Sequence, residues 1–210
     1  MKNSSTLIIF GFDGTLADSF DWFVAHFNAA AKKFGFRTVA KDEIKEFRRL
    51  DARALRTRLK VPFWKLPFIA NYMRRLMGAD IRHIRPFPGI KKALRNLSRR
   101  HTLALVTSNS LKNVHDVLGP DTLALFKQAE CGVGMFGKLS KLRAAARKCG
   151  FEPGQAFYVG DEIRDLAATR GIGMPFGAVG WGYCPLDALS AHRPDMIFRR
   201  VEDLNKLMKI

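Results

Sequence analysis

The stretch Leu7–Ser19, LIIFGFDGTLADS, constrains the fold of this chain more than any other. Its four consecutive apolar residues, Leu7 to Phe10, read as a buried strand. Phe12-Asp13-Gly14-Thr15 breaks that pattern, and a helix is expected to begin near Asp18 or Ser19, with one of the two as its N-cap. An apolar strand, an acidic loop and then a helix is how an open α/β sheet presents chemistry at the carboxyl end of its first strand. Lys2 ahead of the apolar run faintly mimics a signal peptide. The run is shorter than the ~7–15 residues of a signal core and leads straight into an acidic loop. It therefore reads as a core strand, and the expected compartment is the cytoplasm.

The rest of the chain fits that start. Phe20, Phe23, Val24, Phe27, Ala30, Ala31 and Phe34 recur at helical spacing up to Gly35. Further helices are expected over Lys41–Leu50 and Asp51–Lys60, and another after Pro62 with Phe68, Ile69, Tyr72, Met73 and Leu76 on one face. No strand signal interrupts Ser19 to Ile84. From Gly89 onward strand and helix alternate. Strands are expected at Leu103–Val106, Ala129–Val133, Ala156–Val159, Pro175–Val179 and Met196–Phe198. Helices fall between them, at Leu139–Cys149, after Glu162 to about Arg170, at Pro185–Ala191 and at Val201–Lys209. This predicts a doubly wound α/β fold with a parallel sheet and right-handed crossovers. The division is a core of residues 1–17 and 85–210 with an all-helical insertion, 18–84, after the first strand.

With 210 residues and a 47% hydrophobic fraction the chain can bury a substantial core. No apolar run approaches the ~20 residues that cross a bilayer, so no membrane partner is expected. Cys131, Cys149 and Cys184 are widely spaced, lack a Cys-x-x-Cys pair and read as small buried hydrophobes. The net charge of +17 attracts anionic partners: phosphorylated metabolites, nucleic acid or anionic lipid. The charges are scattered and form no basic tail, which disfavours a dedicated nucleic-acid arm. Five arginines of the insertion, Arg48, Arg49, Arg53, Arg56 and Arg58, could meet an anionic substrate, although most read as solvated helix faces.

Polar clusters follow four of the predicted strands: Asp13, Thr107, Lys138, and Asp161 with Asp165. In a parallel sheet all strand carboxyl ends open on one edge, so the clusters are expected to converge there. Taken singly each has a bland reading as a turn, a strand-end hydroxyl, a surface lysine or a helix-dipole partner. Gly132–Lys138, GVGMFGK, matches a dinucleotide glycine pattern and most of a phosphate-binding P-loop. It lacks the Ser or Thr after the lysine and does not follow a first strand, so both readings fail.

In order and spacing these clusters resemble the four motifs of the haloacid-dehalogenase superfamily of phosphohydrolases, and the likeness covers nearly the whole chain. The first family motif is an apolar run followed by Asp-x-Asp-Gly-Thr, and Gly11 stands here where the family carries its nucleophilic aspartate. The resemblance implies a helical cap over the site and an aspartyl-phosphate mechanism with Mg²⁺ as cofactor. It implies that Asp13 is the acid/base, that Thr107 and Lys138 bind the phosphoryl group, and that Gly14, Thr15, Ser108 and Asn109 contact substrate. Asp161, Asp165 and the backbone carbonyl of Asp13 are the implied metal ligands. Trp181-Gly182-Tyr183 resembles a family stretch and is expected to serve packing. The implied substrate is a small anionic phosphorylated metabolite of the phosphoglycolate or sugar-phosphate kind.

Glycine supplies neither a nucleophile nor a metal-binding oxygen, so the chain is expected to be inactive or nearly so on phosphate esters. The glycine fits either a substitution in a working phosphatase or a natural pseudophosphatase that binds phosphate, a partner or nucleic acid. The other site residues are all present, which favours the first. A dehalogenase on the same scaffold would also need the absent aspartate and has less use for Lys138 beside a metal pair.

Overall fold

Strand β1 (Leu7–Phe10) is fully buried and lies at the middle of a parallel sheet. The computed structural model describes residues 6–134 and 137–210. Successive side chains of a strand point to opposite faces, and β1 uses both. Ile8 and Phe10 enter one apolar core, while Leu7 and Ile9 enter the other. An unbroken apolar run is what a strand covered by helices on both sides requires.

After β1 the chain makes a tight turn into β2 (Ala17–Asp18) and then runs through helices α1 (Phe20–Phe34), α2 (Ile44–Phe47), α3 (Ala52–Arg58) and α4 (Leu66–Ala79). It returns through β3 (Arg85–Pro86), which pairs antiparallel with β2, so the two ends of the helical segment are tied together. The α/β part follows as α5 (Ile90–Leu97), β4 (Thr102–Val106), α6 (Leu111–Leu118), α7 (Pro120–Leu123) and β5 (Phe126–Glu130). It continues with α8 (Lys138–Cys149), β6 (Ala156–Gly160), α9 (Ile163–Arg170), β7 (Phe176–Val179), α10 (Leu186–Ala191) and β8 (Met196–Phe198), and closes with a 3₁₀ helix over Val201–Lys209, where a helix is expected. The six-stranded sheet has the order β5-β4-β1-β6-β7-β8, every pair parallel. The doubly wound α/β expectation therefore holds.

Local differences have physical causes. The strand expected at Ala129–Val133 lies instead at Phe126–Glu130. It is an edge strand carrying Lys127 and Gln128, so it shows no apolar run. The helices expected over Lys41–Leu50 and Asp51–Lys60 shorten to Ile44–Phe47 and Ala52–Arg58, the second capped by the Asp51 carboxylate accepting from Ala54 N at 2.8 Å. Met135 and Phe136 of the glycine-rich decoy lie outside the described residues. Cys149 and Cys184 are buried and Cys131 half-buried, as free thiols. Among the described residues no helix is long and apolar enough to cross a membrane.

The helical segment is fastened over the carboxyl edge of the sheet. Arg48 donates to the carbonyls of Tyr183 and Gly182 at 2.6 and 3.0 Å, and Arg74 to the carbonyl of Ser108 at 3.0 Å. Arg49 pairs with Asp187 at 2.6 Å, and Arg58 pairs with Glu46 inside the segment.

Candidate active site

The chain leaves β1 at Gly11, whose N–H donates to Val159 O at 2.9 Å and so extends the ladder by one residue. A tight turn follows, in which the N–H groups of Leu16 and Ala17 both donate to Phe12 O, at 2.8 and 2.9 Å. Gly14 has φ +71, and a Cβ there would lie 2.1 Å from Asp161 Oδ2. Only glycine serves at that position, because both the backbone conformation and the approach of Asp161 exclude a side chain. A Cβ at Gly11 would meet Tyr158 Oη at 2.9 Å and Thr15 Oγ1 at 3.0 Å. The absent side chain at 11 thus corresponds to a space bounded by two hydroxyls.

Asp13 points up from this turn. Asn109 Nδ2 donates to its two oxygens at 3.1 and 3.0 Å, and Ser19 Oγ donates at 3.1 Å. Burial pushes its carboxyl above the usual range, and the bonds from Asn109 and Ser19 only partly oppose this. Ser19 does occupy the N-cap position of α1, but it makes no side-chain cap bond. Its hydroxyl is instead shared between Asp13 and the Tyr183 hydroxyl, 2.9 Å away, which corrects the capping expectation. Asn109 is held in turn, its Oδ1 accepting from Ser110 N and Asn113 Nδ2, each at 2.8 Å. Thr107 Oγ1 accepts from Asn109 N at 3.0 Å.

From the other side of β1 come Lys138, at the start of α8, and the acids that follow β6. Lys138 Nζ lies 2.6 Å from Asp165 Oδ1 and 5.0 Å from the centre of the Tyr158 ring. The second oxygen of Asp165 accepts from Tyr158 Oη at 3.3 Å. Asp161 accepts from Thr15 Oγ1 at 2.8 Å and from Tyr183 N at 2.9 Å. Burial, Glu162 and Asp165 together push its carboxyl up to about 8. Glu162 pairs with Arg164 at 2.7 Å.

Gly11, Asp13, Thr107, Ser108, Lys138, Asp161 and Asp165 line one small polar cleft of about 20 Å³. Gly14, Thr15 and Asn109 do not line it. Thr15 stands behind it, bonded to Asp161, while Asn109 is bonded to Asp13 and faces the larger space under the helical segment. A second, much larger cavity of about 580 Å³ adjoins it under the helical segment and shares Asp13, Ser108, Glu162 and Arg164 with it. Of the insertion arginines, Arg48, Arg56 and Arg74 line this cavity.

Sequence reasoning passed over Ser19, Tyr158, Glu162, Arg164 and Tyr183. Glu162 and Arg164 could have been found, since they sit between the two aspartates at the same strand end. Tyr183 belongs to the Trp181-Gly182-Tyr183 stretch expected to serve only packing. In fact its N–H binds Asp161, and Trp181 Nε1 donates to Thr15 O at 3.0 Å, so the stretch braces the acidic turn.

The acids bear directly on a metal. Among the described residues no group of three or more His, Cys, Asp or Glu side chains is disposed to hold an ion. Asp161 nevertheless carries a fully buried carboxylate beside two other acids, and each of its oxygens accepts a single hydrogen bond, leaving lone pairs. A hard cation would relieve that crowding, and oxygen donors suit Mg²⁺.

Comparison with known proteins identifies the family. Residues 8–179 match the family model described as haloacid dehalogenase-like hydrolase. The chain is 32% identical over 199 residues to a phosphoglycolate phosphatase of Synechococcus elongatus, covering 94% of each. It is 25% identical over 210 residues to a phosphoglycolate phosphatase of Aquifex aeolicus, covering 96% of each. Among solved structures it resembles a haloacid dehalogenase-like family hydrolase from Streptococcus pneumoniae, with TM-score 0.77, 21% identity, and 99% and 100% of the two chains covered. It also resembles a mutant of CbbY from Rhodobacter sphaeroides in complex with xylulose-(1,5)bisphosphate, with TM-score 0.67, 20% identity, and 92% and 93% covered. The chain is a HAD-type phosphatase by family, a member of the haloacid dehalogenase-like hydrolases.

Proposed function

We propose that this chain is a phosphomonoesterase scaffold for a phosphorylated metabolite whose turnover is crippled by glycine at position 11. The observation that carries the reading is the single polar cleft at the strand ends, where Asp13, Thr107, Lys138, Asp161 and Asp165 surround the bare Cα of Gly11. The segment 18–84 acts as the lid and 1–17 with 85–210 as the core. Phosphoglycolate phosphatases among the relatives support a phosphorylated small molecule as substrate.

Each side chain has work suited to its surroundings. Lys138 and the Thr107 hydroxyl neutralise and orient the phosphoryl oxygens, with Ser108 beside them. Burial keeps Asp13 protonated to a higher pH than a free carboxyl, so it can give a proton to the leaving alkoxide. Asn109 and Ser19 aim that carboxyl, while Gly14 and Thr15 let Asp161 approach the turn. Asp161, Asp165 and the Asp13 carbonyl would hold Mg²⁺, which supplies positive charge against the phosphoryl group when bound. No atom of Gly11 can attack phosphorus. Loss of a covalent nucleophile costs on the order of a million-fold in turnover.

The test is phosphate release from a panel of phosphorylated two- and three-carbon acids and sugars, run beside calorimetric titration of inorganic phosphate with and without Mg²⁺. The expected result is phosphate binding that Mg²⁺ strengthens and Asp161→Asn weakens, with release at background. Turnover in the ordinary enzyme range, about 1–10³ per second, would refute the crippled nucleophile. Absence of phosphate binding would refute the cleft.

A further inference from the structure

The cleft at the strand ends holds about 20 Å³, whereas the cavity that adjoins it beneath α1, α3 and α4 holds about 580 Å³. Natural interiors rarely leave voids much larger than a water molecule, and ligand sites typically span ~300–1,000 Å³ of mostly apolar wall with a few polar groups. This cavity has that composition. Phe23, Phe27, Leu55, Ile69 and Met73 form much of its wall, and Asp13 stands at its junction with the cleft. The apolar cluster around it is loosely closed: Phe47, Leu59 and Val61 are buried, but Phe27, Leu55 and Ile69 are only partly so.

The polar groups on the wall are mostly committed to the protein. Arg48 is held by the Gly182 and Tyr183 carbonyls, Arg74 by that of Ser108, and Arg164 by Glu162. Lys41 is exposed to solvent, which leaves Arg56 as the half-buried cation on the wall whose guanidinium has no partner among the described residues. A two-carbon phosphorylated acid with its phosphate at the cleft would leave most of the aromatic and aliphatic wall in contact with water. A hydrocarbon chain would dry it.

We propose that the cavity under the helical segment takes the apolar body of an amphiphilic phosphate monoester whose phosphate lies in the cleft beside Asp13. This rests on the phosphate reading of the cleft and adds the substrate class to it. The occupant is an alkyl phosphate of medium length, with the hydrocarbon running from Asp13 between α1 and α4.

The experiment is calorimetric titration of the intact chain in Mg²⁺ with methyl phosphate and with octyl phosphate below its micelle concentration. Each buried methylene contributes about fourfold to binding, so octyl phosphate is expected to bind at least ~100-fold more tightly. Ala70→Phe puts a ring into the cavity from α4. It should remove most of that advantage and leave methyl phosphate binding unchanged. Ala52→Phe, from α3, does the same from another wall and serves where the first variant fails to fold. Equal binding of the two phosphates would overturn the proposal and leave the cleft reading intact. An octyl advantage that survives both ring insertions would overturn it too, because the chain would then lie elsewhere. Failure of both phosphates to bind would remove the cleft reading and this inference with it.

Discussion

The strand-end rim and the helical segment above it solve opposite problems. At the rim Asp13, Asp161 and Asp165 each have both carboxylate oxygens engaged by named donors, and the space between them is about 20 Å³. In the helical segment the walls are largely apolar, most of the cluster that forms them only partly buried, around about 580 Å³. A buried acid must be held by donors or lose its charge, so chemistry is fixed where the sheet is most rigid. A cavity wall only has to be greasy and the right distance apart, so recognition can sit on short helices that pack less tightly.

The contrast can be broken by mutation. The largest expected effect is at the rim: in a chain whose nucleophile has been restored, Asp13→Asn should lower turnover by about 10²–10⁴, the usual value of a general acid. Steady-state kinetics would show it in kcat. Loss confined to KM would mean that Asp13 only holds the turn. The next is in packing. Ile9→Ala, in the fully buried β1, should cost about 2–5 kcal/mol in denaturant unfolding, as expected where a core cannot collapse. Ile69→Ala removes a similar side chain from the cavity wall, where it already faces open space, and should cost less than about 1 kcal/mol. Equal costs would show the segment to be as tightly packed as the sheet.

A smaller effect sharpens the electrostatics. Asp161 is held near 8 in the fold, above its usual 3.8, so the folded chain binds a proton that the unfolded chain has released. Its contribution to stability is present below pH 3.8 and declines as pH rises towards 8. Burial of His101 adds an opposite trend that ends by pH 6.5. Metal-free protein should therefore lose thermal stability between pH 6.5 and 8. Asp161→Asn should flatten that slope, and so should Mg²⁺. A slope that survives the asparagine would assign it to another group.

What could be read from the sequence follows the same division. The unbroken run Leu7–Phe10 and the polar residues at Asp13, Thr107 and Asp161 announce a buried parallel strand and its reactive edge, because polar residues that end several parallel apolar runs converge on one rim of the sheet. Edge strand β5 was misplaced because Lys127 and Gln128 hide it among polar residues. Ser19 looked like a helix cap, yet its one hydroxyl proton goes to Asp13 and its oxygen accepts from the Tyr183 hydroxyl instead of from a backbone N–H of α1. Tyr183 was missed because its backbone N–H, and not its side chain, holds Asp161. The large cavity has no sequence signature at all. Its lining residues have the same helical spacing as a packed core, and only their distances apart distinguish the two.

The most direct measurement is phosphate release by Gly11→Asp with Mg²⁺. A Cβ at this position presses on Tyr158 Oη and Thr15 Oγ1, at 2.9 and 3.0 Å, so the variant should be less stable by about 1–3 kcal/mol. It should nonetheless release phosphate several orders of magnitude faster than the glycine form, on at least one member of a phosphomonoester panel that includes octyl phosphate. A folded Gly11→Asp chain that binds phosphate and shows no gain in release would contradict the claim that a missing carboxylate is all that separates this site from an active one.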